Sequence, residues 1–122
     1  MIVDSHAWIA YFQSESEEAV SIIDSSGKLK TPSIAIAEVT KKFLQVGKAG
    51  KLGEALSFIR EKSAVVALEA DQAELAGKIS FEERLPLADA IIYSYASQED
   101  QLLTGDPHFK GKKKVRYLDA GK

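Results

Sequence analysis

The chain opens with MIVDSHAWIAYF (residues 1–12), which joins a short apolar strand to an amphipathic helix. Met1 to Val3 are typical of a short buried strand, and the strand ends at Asp4. Apolar residues then recur at helical spacing: Ala7, Trp8, Tyr11 and Phe12. Because their spacing leaves one apolar face, we interpret the three aromatic residues as core or as an apolar interface.

The rest of the chain repeats this alternation of strand and helix. Further short strands are predicted at residues 29–31, 64–68, 102–104 and 115–118, the second of these as a buried strand. Three helix starts carry local signals: a capping box of Ser14 and Glu17, the pair Thr31 and Pro32, and Pro86 opening a helix that ends near Gln98. We therefore expect one α/β domain over residues 1–122, an α/β/α sandwich with a mainly parallel sheet of four to five strands.

Composition excludes several function classes before any motif is considered. Lys and Arg number 16 against 18 Asp and Glu, a formal charge of −2, so no overall positive field favours nucleic acids or membranes. The absence of cysteine excludes disulfides, thiolate metal sites and thiol nucleophiles. No apolar run reaches the length of a signal sequence or a membrane span, and we expect a cytoplasmic protein without membrane partners.

Carboxylates are the candidates for chemistry, since the sequence contains no glycine-rich phosphate loop and no nucleophile elbow. Asp4 follows the first predicted strand and Asp106 the fourth, at the edge where open parallel sheets bind ligands. Asp89 has apolar helical neighbours, and a buried anion needs a partner. Glu38 lies on a separate predicted helix, and two lysines follow it at helical spacing.

Each acid alone also has a plain structural explanation. Asp4 and Asp106 can cap turns, Asp89 can be a first-turn acid, and Glu38 can pair with its two lysines on a solvated face. Taken together, clustered carboxylates repel one another unless a cation compensates them. Oxygen ligands of this kind suit Mg²⁺ or Mn²⁺, and such an ion can activate water for phosphodiester cleavage.

Four segments of the sequence resemble the successive signature segments of the PIN-domain family. They are MIVDSHAWIAYF, TPSIAIAEVTKKF, LPLADAIIYSYA and LLTGDPHF, in the family's order and over nearly the whole chain. The short length is similar to that of the VapC toxins of toxin–antitoxin pairs. The resemblance implies a PIN-like sandwich that cleaves RNA with Mg²⁺ or Mn²⁺ and a metal-activated water, as a homodimer held inactive by a cognate antitoxin.

Carried onto this chain, the resemblance implies roles for five residues. Asp4, Glu38, Asp89 and Asp106 would be the catalytic acids, with Asp4, Asp89 and Asp106 ligating the metal ion. Ser5 would orient a ligand or water through its hydroxyl. Gly105 and Pro107 depart from the family pattern, Gly105 at a position where a basic side chain is frequent, and this bears on substrate contacts more than on the metal.

Two further groups of residues are less specific. His6 and His108 flank two of the acids, but a lone histidine near a helix start more often has no catalytic role, and we predict none. A basic run can contact RNA phosphates or simply guard a strand edge: Lys110, Lys112, Lys113, Lys114 and Arg116.

Two alternative functions remain open at this point. One is a non-catalytic PIN-like module that binds RNA or protein. The other is a phosphoacceptor domain with Asp4 as its nucleophile, although no acidic pair accompanies Asp4 in the sequence.

Overall fold

The computed structural model describes residues 1–119 of the chain. The strands are β1 (Ile2–Val3), β2 (Leu29–Pro32), β3 (Ser63–Val66), β4 (Leu102–Thr104) and β5 (Val115–Tyr117). The helices are α1 (Ser5–Phe12), α2 (Glu17–Ser25), α3 (Ser33–Gln45), α4 (Ala49–Lys62), α5 (Ala70–Glu83) and α6 (Leu87–Tyr93), and a 3₁₀ turn covers Pro107–Phe109. Within the described range, no helix is long and apolar enough to cross a bilayer.

The five strands form one sheet in the order β3-β2-β1-β4-β5, and every pairing is parallel. This confirms the predicted α/β class and parallel sheet. From β1 the chain adds β2 and then β3 on one side of the sheet. It then crosses to the other side of β1, where β4 and β5 follow. The switch point of the sheet therefore lies between β1 and β4, and ligands of open α/β sheets bind at the carboxyl ends of such strands.

Helices cover both faces of the sheet, as the alternation of side chains along β1 demonstrates. Val3 packs into an apolar cluster with residues of α1, α2, α3 and α4, whereas Ile2 packs with residues of α5 and α6. Neighbouring strand residues point to opposite faces, so these two clusters are the two layers of the sandwich. The central strand β1 is consequently apolar, and so is β4 apart from its last residue, Thr104, as is typical of strands covered on both sides.

Of the aromatic residues of α1, Trp8 lies in the core and the half-buried Tyr11 and Phe12 pack against it. Trp8 is fully buried, and its indole N–H donates to the Thr31 hydroxyl at 3.0 Å. The Phe12 ring stacks on Trp8 at 5.8 Å between centroids, and Tyr11 stacks on Phe58 at 5.3 Å. This packing anchors α1 against the sheet and so positions Asp4 at its start.

Two of the predicted helix starts are wrong by one or two residues. Helix α2 is capped by Ser16, whose hydroxyl accepts the Ala19 N–H at 3.1 Å, while Ser14 has a φ of +53° in the turn after α1. Thr31 does not cap α3, because β2 continues through Pro32 in register with β3 and the Thr31 hydroxyl bonds Ser63 as well as Trp8. Tertiary pairing outweighs the local capping signal in this second case.

Two other predicted elements differ in extent or environment. Strand β3 is an edge strand with half-buried ends and exposed Ala64 and Val65, so the prediction of a buried strand is wrong. Helix α6 ends at Tyr93, before the predicted Gln98. Beyond it the N–H groups of Tyr95 and Ala96 bond carbonyls three residues back, which tightens the chain into turns.

Candidate metal centre

Asp4 lies at the carboxyl end of β1 and caps α1. Its Oδ1 accepts the Ala7 N–H at 2.9 Å, and its Oδ2 accepts the Thr104 hydroxyl from the neighbouring strand β4. Burial raises the pKa of Asp4 to about 7, because it disfavours the charged form. The two hydrogen bonds lower the pKa, and the nearby carboxylates of Asp106 and Glu38 add to the rise.

Asp106 is buried two residues after β4 and caps the 3₁₀ turn. Its Oδ1 accepts the His108 N–H at 3.0 Å, and its own backbone N–H donates to the Thr104 hydroxyl at 3.0 Å. Thr104 therefore joins two acids, since its hydroxyl donates to Asp4 and accepts from Asp106. Between them, a Cβ at Gly105 would lie 3.5 Å from the Leu118 carbonyl oxygen, an ordinary contact, so this position has room for a side chain.

Asp89 lies in the first turn of α6, where the helix dipole favours an acid, and its side chain is 13% exposed. The His108 Nδ1 atom is 2.9 Å from its Oδ2. Burial raises the pKa of Asp89, the Asp106 carboxylate raises it further, and His108 opposes the rise. The sequence predicts a poorly solvated Asp89 from its apolar helical neighbours, and the raised pKa agrees with that prediction.

Glu38 faces the same edge of the sheet from α3. It is half-buried, and its Oε1 accepts the Ser5 hydroxyl at 3.0 Å. In the described chain it forms no ion pair with Lys41 or Lys42, so the solvated salt-bridge explanation for Glu38 does not apply. Its carboxylate raises the pKa of both Asp4 and Asp89, which places the predicted acids in one electrostatic neighbourhood.

Three donor atoms converge within this neighbourhood. One atom each from Asp89, Asp106 and His108 lies within 4.8 Å of the others, and among the described residues no other such group of three occurs. Asp4 and Glu38 border this group but do not belong to it. His6 is more peripheral, with its Nε2 atom 3.7 Å from Asp106 Oδ2.

The donor set suits a hard or borderline divalent cation. Carboxylate oxygens and an imidazole bind Mg²⁺, Mn²⁺ or their neighbours, and no thiolate is available to attract softer ions. Within residues 1–119 the four acids have no Lys or Arg ion-pair partner, so their charge is left for a ligand to compensate. The residues present therefore fit a bound divalent cation.

The sequence analysis does not name Thr104, and it names His108 without giving it a role in this site. Thr104 carries a weak signal, since a threonine ends an otherwise apolar strand directly before Gly105 and Asp106. His108 follows Asp106 by two residues, and a capping aspartate brings such a residue back toward its own carboxylate. Neither signal separates a site residue from an ordinary turn without the fold.

The predicted basic run divides between the two sides of the sheet. Lys112 donates to Glu83 at the end of α5 at 2.8 Å, whereas Arg116 donates to Glu18 in α2 at 2.5 Å. None of the run lines the cavity beside the acids. That cavity, of about 790 Å³, is lined instead by Ser5, His6, Glu38, Lys41, Lys42 and Gln45, among others.

A parallel sandwich whose switch point carries carboxylates without a Lys or Arg partner in residues 1–119 defines the class: an α/β protein with an acidic, metal-compatible site. The model of the family described as PIN domain matches residues 1–115. The chain belongs to the PIN-domain family.

Solved structures of toxin–antitoxin systems share this fold. A toxin–antitoxin complex from Klebsiella pneumoniae is 24% identical over 94% of each chain, with a TM-score of 0.73. VapBC2 from Rickettsia felis, bound to a promoter DNA fragment, is 13% identical over 97% of this chain and 98% of the other, with a TM-score of 0.75. The Sarcin-Ricin loop cleaving toxin VapC20 of Mycobacterium tuberculosis is 17% identical over 77% and 78%, with a TM-score of 0.66. A comparison with curated protein sequences gives no significant match.

Proposed function

We propose that this protein is a divalent-metal-dependent endoribonuclease, the toxin of a VapBC-type toxin–antitoxin pair. The observation that carries the proposal is the convergence of Asp4, Glu38, Asp89 and Asp106 at the switch point without a Lys or Arg partner in the described chain. Membership of the PIN-domain family supports nuclease chemistry, and the VapC and toxin–antitoxin neighbours support the toxin role.

The acids divide the work of the proposed reaction. Asp89 and Asp106 would hold the Mg²⁺ or Mn²⁺ ion. The sequence predicts Asp4 as a third ligand, but both of its oxygens accept hydrogen bonds from Ala7 and Thr104, so it would support the site through the Thr104 hydroxyl that it shares with Asp106. A bound cation of this kind lowers the pKa of water and stabilises charge that develops on a phosphoryl oxygen. Glu38, oriented by Ser5, borders the cavity and would orient the attacking water for in-line displacement.

The phosphoacceptor alternative is disfavoured by the surroundings of Asp4. Both of its carboxylate oxygens accept hydrogen bonds from the protein, and the side chain is buried. A nucleophilic oxygen needs access to the phosphodonor. A buried carboxylate whose two oxygens both accept hydrogen bonds does not offer that access.

The cavity beside the acids is the proposed path of the RNA strand. Lys41 and Lys42 line it one helical turn beyond Glu38 and are exposed. The run from Lys110 to Arg116 remains a second prediction for phosphate contact. Phosphate contacts release counterions and make binding weaken with salt, so the two surfaces can be compared directly.

The comparison uses cleavage-inactive Asp106→Asn protein, so that RNA stays intact during binding. Replacing Lys41 and Lys42 by Gln should weaken RNA binding and flatten its salt dependence. Replacing Lys113 and Lys114 by Gln is the matched variant. If only the second pair alters the salt dependence, the strand lies along the basic run and the cavity is not its path.

The same proposal includes a cognate antitoxin as a protein partner. The neighbours, which include toxin–antitoxin complexes, support it.

The proposal also includes a homodimer. Exposed apolar side chains on α5 and α6 support it, of which Phe81 is 87% exposed. Light scattering on the wild type and on Phe81→Ser tests this, and a monomer in both would reject the homodimer.

Cleavage assays test the function itself. Asp106→Asn and Asp4→Asn should each reduce metal-dependent RNA cleavage by on the order of 100-fold or more, with the fold retained. Asp71→Asn changes an exposed acid of α5 and is the matched control, which should cleave normally. Wild-type cleavage by purified Asp106→Asn would reject the mechanism, and metal binding without cleavage by the wild type would favour a non-catalytic module.

A further inference from the structure

His108 occupies a position that neither family resemblance nor helical spacing assigns. Its Nδ1 atom lies 2.9 Å from Asp89 Oδ2 and 3.0 Å from Asp106 Oδ1, so one imidazole nitrogen contacts both acids of the candidate metal centre. These three side chains come from α6 and from the turn after β4, and their donor atoms lie within 4.8 Å of one another.

The backbone holds His108 in this position. The Asp106 side chain accepts the His108 N–H at 3.0 Å, and Pro107 between them has a restricted φ. The imidazole is 57% exposed, so its other nitrogen can keep its proton and hydrogen-bond to water. In that tautomer Nδ1 carries no proton, and its lone pair would bind a cation together with the two carboxylates that it contacts.

The other acids are engaged with protein donors. Both oxygens of Asp4 accept hydrogen bonds, from Ala7 and Thr104, and one oxygen of Glu38 accepts the Ser5 hydroxyl. These hydrogen bonds occupy lone pairs of Asp4 and Glu38 that would otherwise be available to coordinate a cation. Among the described residues, the third donor atom within 4.8 Å of those of Asp89 and Asp106 belongs to His108.

We propose that His108 is a metal ligand, so that the centre has two carboxylates and one imidazole and prefers Mn²⁺ to Mg²⁺. This inference rests on the proposed metal-dependent function and specifies its ion. Imidazole nitrogen suits borderline transition metals, whereas Mg²⁺ prefers an all-oxygen shell and retains its waters. Loss of this ligand should therefore weaken Mn²⁺ binding more than Mg²⁺ binding.

The chain offers a matched control, because it contains only two histidines. His6 is 52% exposed and also near Asp106, but its Nε2 atom is 3.7 Å away and outside the three-donor group. His108→Gln and His6→Gln thus remove similarly exposed imidazoles that both lie near Asp106. Melting curves of both variants would establish that they fold.

The decisive measurement is electron spin echo envelope modulation on protein loaded with Mn²⁺, which detects directly coordinated nitrogen. Wild type and His6→Gln should both give the nitrogen modulation, and His108→Gln should lose it. Calorimetric titrations should show the Kd for Mn²⁺ rising at least about tenfold in His108→Gln, with a smaller factor for Mg²⁺.

Other outcomes overturn the assignment. If wild type binds Mn²⁺ and cleaves RNA but gives no nitrogen modulation, or if the modulation survives in His108→Gln, then His108 is only an ion-pair partner of the two acids. In that case the proposed function stands and the ligand assignment fails. If wild type binds neither ion, the metal-dependent function fails with it.

Discussion

Carboxylates at the two ends of the central strands have pKa values shifted in opposite directions. At the amino end, Asp100 contacts the Met1 ammonium and lies 2.9 Å from Lys30 Nζ. Burial raises its pKa, but these two cations outweigh the effect and hold the pKa below its usual value. At the carboxyl end, Asp4 and Asp89 have raised pKa values and no Lys or Arg partner in the described chain.

The difference separates an acid that stabilises the fold from acids that a ligand must compensate. A carboxylate with local cations contributes to stability by itself. Carboxylates that repel one another at a switch point cost stability until a cation binds, which is typical of functional sites. Four measurements sharpen or break this contrast, and they are ordered from the largest expected effect to the smallest.

The largest effect concerns Asp4 and pH. Its folded pKa of about 7 exceeds the ordinary value of 3.8, so the folded state holds a proton that the unfolded state has released. Stability in chelator should therefore fall as pH rises from about 4 to about 7, by up to about 4 kcal/mol at about 1.4 kcal/mol per pKa unit. Urea unfolding of wild type and Asp4→Asn across this range measures it. The variant should lose less, and equal losses would contradict the contrast.

The second effect is stabilisation by metal. In chelator, Asp89→Asn should melt at or above the wild-type temperature, since it removes a repelling charge and nearly conserves volume. With Mn²⁺ at about 100 times its Kd, the wild type should gain about 2.7 kcal/mol and the variant much less.

Asp71→Asn, on the exposed face of α5, controls for the loss of one surface charge. A variant at position 89 that is strongly destabilised in chelator and still responds normally to metal would identify Asp89 as a structural cap.

The third effect tests the link between β1 and β4. Thr104→Val keeps the shape of the side chain but removes the hydroxyl that serves both Asp4 and Asp106. Unfolding experiments should show a loss of about 1–3 kcal/mol, because buried polar groups lose their partner. RNA cleavage should fall by on the order of 10- to 100-fold.

Thr40→Val is the matched control for this substitution. Among the described residues, the Thr40 hydroxyl bonds only the Ile36 carbonyl of its own helix, at 2.8 Å, so its loss should leave cleavage unchanged. Equal effects at positions 40 and 104 would mean that Thr104 has no special part in the site.

The smallest effect lies at the amino end. Lys30→Met removes one half-exposed partner of Asp100 and should cost no more than about 1 kcal/mol at neutral pH. Because the Asp100 pKa is lowered, the stability it contributes is lost as pH falls toward that pKa, so the variant should be less sensitive to acid. Its melting temperature should respond to Mn²⁺ as the wild type does, and a weakened response would contradict the separation of the two ends.

The chain sequence by itself determined the fold class and the convergence of the acids. Alternation of short apolar runs with amphipathic segments is a local property, and parallel strands bring residues such as Asp4 and Asp106 to one edge. The apolar helical neighbours of Asp89 likewise indicated poor solvation. Local signals are less reliable at element ends, where the pair Thr31 and Pro32 predicts a helix cap but Thr31 pairs within the sheet.

Only the tertiary structure decided which side chains contact one another in the site. The hydroxyl that joins Asp4 to Asp106, the imidazole between Asp89 and Asp106, and the division of the basic run between two layers all depend on side chains from separate elements. Hydrogen bonds and ion pairs act over a few ångströms, whereas sequence patterns report only which face of an element a residue occupies. The position of His108 follows from two elements meeting, and no single stretch of sequence contains both.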